Sequence, residues 1–270
     1  MSDRLVSIII PTYNSEGTIG ICLKSVNEQN YPSIEVIVVD NYSIDRTREI
    51  AENFGARVIV AHAKRSEARN LGAEKSHGDM LLFVDADMEL DSSVISECVA
   101  KVGEGYEGII IPELSIGKGF WAKCKALEKA CYIGDDLIEA ARFFKKTVFQ
   151  KACGYDNELE AGEDWDLNLR VGKMGKIGRV SVAIRHNVRE LRLREIFLKK
   201  HYYGRTLRRY QTKHPKEARK QLSPNRLSFV KHWRKLAKDP THACGMLFMK
   251  LCEFSAGGLG YITSELVVEK

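Results

Sequence analysis

The 270-residue chain has no cysteine pair at CxxC spacing, only six prolines, no low-complexity tract and no internal repeat. Each absence removes a class of protein. The seven cysteines, an odd number, lie scattered at 22, 98, 124, 131, 153, 244 and 252. They read as reduced thiols packed as small apolar side chains, not as a disulfide scaffold or a zinc cage. The apolar run in MSDRLVSIIIP is too short for a signal peptide and a proline closes it, so the chain is expected to stay in the cytoplasm. No GxxxxGK[ST] occurs, which argues against a P-loop NTPase. Gly103, Gly105 and Gly108 do match GxGxxG, but they follow a helical stretch and precede an apolar run. A dinucleotide fingerprint needs the reverse order, because its glycines open a helix onto the pyrophosphate. The match reads as a loop.

What is present is ordinary for a folded globular chain: 44% hydrophobic and 29% charged residues. The length fits one large domain, or a domain with an appendage. The net charge of +6 is unevenly spread, since residues 189–220 hold 12 Lys/Arg against 3 Asp/Glu. Such a stretch suits a phosphate-rich partner, either nucleic acid or an anionic membrane face. No nucleic-acid-reading motif accompanies it, so no nucleic-acid partner is expected.

Apolar runs at Val6–Ile10, Glu35–Val39, Arg57–Val60, Met80–Val84 and Gly108–Ile111 alternate with helix-like stretches at 18–28, 46–54, 66–75 and 92–102. This alternation predicts βαβ units and a mostly parallel sheet buried on both faces. Parallel strands deliver their carboxyl ends to one edge, where open α/β sheets bind ligands. Pro11, Thr12, Tyr13 and Glu16 follow the first run, Asp40 the second, and Asp85-Ala86-Asp87 the fourth, while Arg69 precedes the fourth. Paired acids at a strand end attract a hard cation, and magnesium is often shared between one or two carboxylates and a substrate's phosphates. A strand-end turn is the plain alternative for Asp85 and Asp87. Glu163-Asp164 sits at a glycine-led turn into a helix, and His186 ends the apolar stretch 180–184.

SIIIPTYN, VIVVDNYSIDRT, the ARN of SEARNLGA, LLFVDADM and GEDWDL occur in one order along residues 5–190. In these blocks the chain resembles the inverting glycosyltransferases of the GT-A fold, family 2. The resemblance implies a Rossmann-like GT-A catalytic domain over 1–188, with 1–112 the nucleotide-binding half and 113–188 the acceptor and catalytic-base half. Residues 189–270 form a basic amphipathic helical C-terminal region. It further implies that Pro11, Thr12, Tyr13 and Glu16 line the base and ribose pocket, that Asp40 accepts a hydrogen bond from the base, and that Arg69 faces the diphosphate. Asp85 matches a ribose and metal contact, Asp87 a direct metal ligand, and His186 a position completing the coordination of Mn2+ or Mg2+. Asp164, beside Glu163, matches the catalytic base. The implied donor is a nucleotide-diphosphate sugar, UDP before GDP, and the acceptor a lipid-linked group or glycan.

The residues themselves leave second readings. Asp164 also suits a helix's first turn, His186 a half-buried strand end, Tyr13 plain packing and Arg69 a surface ion pair. Asn41 and Tyr42 stand where relatives commonly carry Asp and Gly, which puts base preference in doubt. Trp121, Arg142 and Lys146 are candidate acceptor contacts. The stretch 191–211 sets Leu193, Ile196, Phe197, Tyr203, Leu207 and Tyr210 in one helical stripe among arginines and lysines. A basic amphipathic helix of this kind suits the plane of an anionic membrane interface, or packs on the catalytic domain with its basic face solvated. Residues 243–263 are apolar but are interrupted by Lys250, Glu253 and several glycines. They fall short of the roughly 20 apolar residues of a spanning helix, and an in-plane or docking helix is expected there. A peripheral enzyme at the cytoplasmic membrane face is the resulting expectation, against a nucleotide-sugar-binding module without turnover or a basic nucleic-acid-binding protein.

Overall fold

The computed structural model describes residues 4–223 and 227–268. In chain order its elements are β1 (Val6–Thr12), α1 (Ile19–Asn27), β2 (Ile34–Asp40), α2 (Thr47–Asn53), β3 (Arg57–Val60), α3 (Arg65–Lys75), β4 (Met80–Phe83), β5 (Met88–Leu90), α4 (Val94–Gly103), β6 (Gly108–Ile110) and β7 (Glu113–Lys118). There follow α5 (Phe120–Tyr132), β8 (Ala141–Lys145), α6 (Lys146–Lys151), α7 (Glu163–Gly172), β9 (Ile177–Arg179), β10 (Ile184–Glu190), α8 (Leu193–Lys213), α9 (Pro215–Gln221), α10 (Leu227–Lys231), α11 (Trp233–Lys238) and α12 (Pro240–Val268). They gather into two compact units. One comprises Met1–Pro112, Ala140–Asn157 and Asp164–Asn187, the other Glu113–Glu139, Glu158–Glu163 and Val188–Lys270.

The first unit is built on a seven-stranded sheet of order β3-β2-β1-β4-β8-β6-β9. Strands β1, β2 and β4 are apolar almost throughout because helices cover both faces, as parallel sheets require. Side chains alternate across a strand, so Ile8, Ile10 and Leu82 enter one core while Ile9, Leu81 and Phe83 enter the other. Pairings β1–β2, β1–β4, β2–β3 and β6–β9 are parallel; β8 lies antiparallel between β4 and β6. The mostly parallel α/β sheet read from the sequence is therefore present, with one reversed strand. Thr12 stands opposite Asp40 at the ends of β1 and β2, which puts the loops after both strands on one edge. The Gly103–Gly108 stretch is the turn from α4 into β6. Strand β10 begins against β5, with His186 opposite Met88.

The second unit packs α5, α8 and α12 together. Ile196 meets Met246 and Met249, joined by Trp121, Leu127 and Leu193. Helices α8 and α12 come so close that a Cβ on Gly204 would lie 2.1 Å from the Gly257 carbonyl oxygen. The stripe expected to lie in a membrane interface is thus turned inward: Tyr210 is fully buried, Ile196 nearly so, and Leu193, Phe197, Tyr203 and Leu207 are half-buried. Packing against α12 uses up the apolar side of α8, which corrects the in-plane expectation for that stripe. Between the three helices lie Lys125, Glu128, Lys200, Lys250 and Glu253. Lys125 donates to Glu128 at 2.7 Å and to Glu253 at 2.9 Å, and Lys250 to the same two carboxylates at 2.9 and 2.6 Å. No described helix is long and apolar enough to cross a membrane.

Candidate active site

The loops after β1 and β2 are locked to each other by their own polar side chains. Asp40 is fully buried; its Oδ1 accepts from the Thr12 hydroxyl at 3.0 Å and from the Ser43 hydroxyl at 2.5 Å, and its Oδ2 accepts from the Ser43 amide at 2.9 Å. The resemblance implied a base contact for Asp40. In this structure Oδ1 takes two bonds and Oδ2 one from the residues that shape the loop. Asp45 accepts from the amides of Glu16 and Thr47, while Glu16 accepts from the Arg46 amide at 3.0 Å. Asn14 and Tyr42 take left-handed backbone angles, at φ 47° and 54°. That leaves Pro11 half-buried, Thr12 buried, Tyr13 63% exposed and Tyr42 stacked on His62 with ring centroids 3.9 Å apart. An exposed ring and a stacked pair at a sheet's carboxyl edge suit a flat heterocycle.

Arg69, on α3, is the centre of the site. It is wholly buried, and its Nη2 donates to Asp85 at 2.8 Å while its Nη1 donates to Asp164 at 3.0 Å. Its guanidinium carbon lies 5.0 Å from the centre of the Tyr155 ring. A planar fork is the side chain that can serve two carboxylates at once. The sequence placed Arg69 before the diphosphate or in a surface ion pair; here both terminal nitrogens go to acids inside the protein. Arg142 approaches the other oxygen of Asp85 at 3.7 Å. Burial would push the Asp85 carboxyl up, but the charges of Arg69, Arg142 and Arg65 outweigh it and hold the group well below the usual carboxylate range. Asn70 sets the segment beneath: its side chain donates to the Tyr155 carbonyl at 2.8 Å and accepts from the Tyr155 amide at 2.9 Å.

Asp87, in the turn just before β5, and His186, on β10, meet with Oδ2 and Nε2 3.2 Å apart and both side chains partly open to solvent. A carboxylate and an imidazole so placed offer two donors to one ion. Among the described residues no group of three or more His, Cys, Asp or Glu is placed to hold a metal ion. A divalent cation at this pair would take its remaining ligands from phosphates and water.

Helix α7 opens at Glu163, which is buried, and next to it Asp164 is half-exposed. Gly162 before them has φ 82°, and a Cβ there would lie 2.8 Å from the Tyr210 ring. Tyr210 is pinned in turn, its hydroxyl donating to Gln221 at 2.6 Å and the Gln221 amide donating to the Leu137 carbonyl at 3.0 Å. A residue of α8 thus braces the turn at Gly162. Sequence pattern offered nothing beyond Tyr210's place in an apolar stripe. Of the expected acceptor contacts, Arg142 turns to Asp85, Lys146 donates to the Ser76 carbonyl at 2.6 Å, and Trp121 packs edge-on to Phe120.

Comparison with known proteins follows the same lines. The family described as glycosyl transferase family 2 matches residues 7–153. The PGL/p-HBAD biosynthesis glycosyltransferase of Mycobacterium tuberculosis strain H37Ra is 27% identical over 184 residues, which cover 63% of this chain and 70% of that protein. The mannosyltransferase PcManGT from Pyrobaculum calidifontis, in complex with GDP-Man and Mn2+, superposes with a TM-score of 0.67 at 16% identity, over 97% of this chain and 88% of that one. S. aureus TarS 1-349, in complex with UDP-GlcNAc, gives a TM-score of 0.57 at 17% identity, over 98% and 91%. Against the longer S. aureus TarS structure the match spans 55% of that chain. At these identities the likeness establishes the GT-A fold alone. With the family match covering more than half of its residues, the chain belongs to glycosyltransferase family 2.

Proposed function

We propose that the protein is a metal-dependent, inverting hexosyltransferase that moves a sugar from a nucleotide-diphosphate donor, UDP before GDP, to a hydroxyl or phosphate acceptor. The observation that carries this reading is the Asp85–Arg69–Asp164 chain: one guanidinium spans from the strand-end acid pair to the acid at the start of α7. In this reading the donor site and the base lie within one side chain's reach. Residues 1–112 supply the nucleotide side, 113–188 the base and acceptor side.

In this reading Pro11, Thr12 and Tyr13 receive the nucleoside, with Glu16 and Asp40 fixing the loops that frame it. Asp85, Asp87 and His186 would hold Mn2+ or Mg2+. When bound, that cation neutralises charge gathering on the departing diphosphate. Asp164 takes the proton of the acceptor hydroxyl as the oxygen attacks the anomeric carbon from the side opposite the leaving group. One displacement inverts that carbon. Arg69 holds Asp164 in place through its 3.0 Å hydrogen bond, and its positive charge would lie close to the leaving group's phosphates. Glu163, buried beside the base, fixes the turn.

Nucleotide-sugar complexes of both TarS and PcManGT support a donor of this class, and the Mn2+ of the second supports the cation. A relative named for PGL/p-HBAD biosynthesis, and the basic charge of 189–220, support a lipid-linked acceptor met by a peripheral enzyme at the cytoplasmic membrane face. The test is donor hydrolysis with UDP- and GDP-sugars, with and without manganese. Asp164→Asn is expected to abolish turnover while retaining nucleotide binding, and Asp87→Ala to lose the metal requirement together with activity. Tight nucleotide binding with no turnover of any donor, in the wild type and in both variants alike, would overturn the reading.

A further inference from the structure

Helix α12 is apolar on two sides, one buried and one largely exposed. Its inner side, through Ala243, Met246, Met249 and Ala256, is buried in the second unit. Its outer side presents Leu247, Phe248, Leu251, Leu259 and Ile262, each more than half exposed. Leu247, Phe248 and Leu251 cluster at spacings of three and four, and Leu259 with Ile262 fall on the same side two turns later, across exposed Ser255 and Gly258. Between Pro240 and Thr263 the helix has only two Lys, Arg, Asp or Glu residues, Lys250 and Glu253. These bond to each other at 2.6 Å, and Lys250 also to Glu128. The outer stripe carries no charge. A helix whose buried side is already satisfied is expected to be polar on its other side, and a contiguous exposed apolar surface of this extent marks an interaction site.

The surroundings of the stripe select the partner. The two short helices leading into α12 expose Val230 and Trp233 among Lys231, Arg234, Lys235 and Lys238. Residues 188–270 hold 19 Lys/Arg against 7 Asp/Glu. A second copy of this chain would bring the same positive charge to the contact. An anionic lipid leaflet supplies negative charge at its surface and apolar chains beneath, with the headgroup boundary favoured by tryptophan. The helix is not apolar enough to span, so it lies in the plane.

We infer that the outer stripe of α12, not the apolar stripe of α8, is the membrane-docking surface, seated in an anionic leaflet with the cations of α10 and α11 against the headgroups. This rests on the membrane location proposed above, but its readout involves no turnover. Flotation with vesicles of equal parts phosphatidylcholine and phosphatidylglycerol is expected to carry the wild type up, and vesicles of phosphatidylcholine alone far less. Leu247→Asp with Leu251→Asp is expected to lower partitioning about 100-fold or more, since each leucine loses its apolar seat, at unchanged Tm and unchanged donor hydrolysis. Arg234→Gln with Lys238→Gln is expected to weaken binding to the anionic vesicles only. Equal flotation of the Leu247/Leu251 variant and the wild type would overturn the inference. So would absence of the wild type from both vesicle types. Sedimentation showing a dimer of the wild type that this variant abolishes, without vesicle binding, would reassign the stripe to self-association. Donor hydrolysis in the same preparations reports separately on the proposed activity.

Discussion

Removing the charge of Lys200 is expected to stabilise the protein. The cluster between α5, α8 and α12 holds three lysines and two glutamates, and Lys125 and Lys250 already serve both carboxylates. Lys200 is the surplus cation. Burial pushes its ammonium down, Glu253 offsets this in part, and Lys125 and Lys250 add to it, leaving the group at about 8 against a lysine's ordinary 10.5. At about 1.4 kcal/mol per pH unit, the charged form costs the folded state about 3 kcal/mol. A depressed lysine penalises folding most below its folded value, where both states are charged, and the penalty disappears above the unfolded value, where both are neutral. Between these limits the unfolded chain binds more protons, so stability rises with pH. Lys200→Met keeps the stem and discards the charge. Denaturant unfolding is expected to show the variant more stable by about 3 kcal/mol at pH 7 and by about 1.5 kcal/mol at pH 9.5. A variant less stable than the wild type, or a difference that does not change between these pH values, would refute the reasoning.

Other outcomes follow from the site. Arg69→Met removes the guanidinium that Asp85 and Asp164 share and is expected to cost about 3–5 kcal/mol at pH 7 by denaturant unfolding. Because Asp85 is held below its ordinary value, its contribution is present above about pH 4 and is lost as pH falls through the folded value, so the gap to wild type should close on acidification. Asp164→Asn is expected to lower transfer about 100- to 10,000-fold in single-turnover assays, with donor affinity within a few-fold of wild type. In Gly162→Ala the methyl group meets the Tyr210 ring at a left-handed backbone position, so kcat should fall with the nucleotide Kd unchanged; equal kcat would separate Tyr210 from the base.

The local elements were largely readable and their assembly was not. Runs such as Arg57–Val60 and Met80–Val84 become β3 and β4 almost to the residue, because an apolar β-branched stretch flanked by helical periodicity has few other fates. The reversed strand β8 sits in the sheet through a pairing across more than sixty residues, Leu82 with Phe143, which no local pattern encodes. That pairing also sends Arg142 to Asp85 instead of to an acceptor. The apolar stripe of α8 was visible as a stripe, yet period alone cannot say whether protein or lipid covers it; the glycines at 204 and 260 decide, by letting α8 and α12 approach. Asp40 and Arg69 show the same limit at the site, since a motif names a polar residue and only the fold names its partner.

The contact between Tyr210 and Gly162 bears on how short a working form of this enzyme can be. The family match stops at residue 153, before α7 and the last two strands, whereas a cut after the last strand at Glu190 would spare every sheet residue. It would still remove the phenol that braces the turn before Asp164 and the glutamine that anchors that phenol. A form ending between Glu190 and Gln221 is therefore expected to keep its sheet strands and lose the brace on the turn before Asp164.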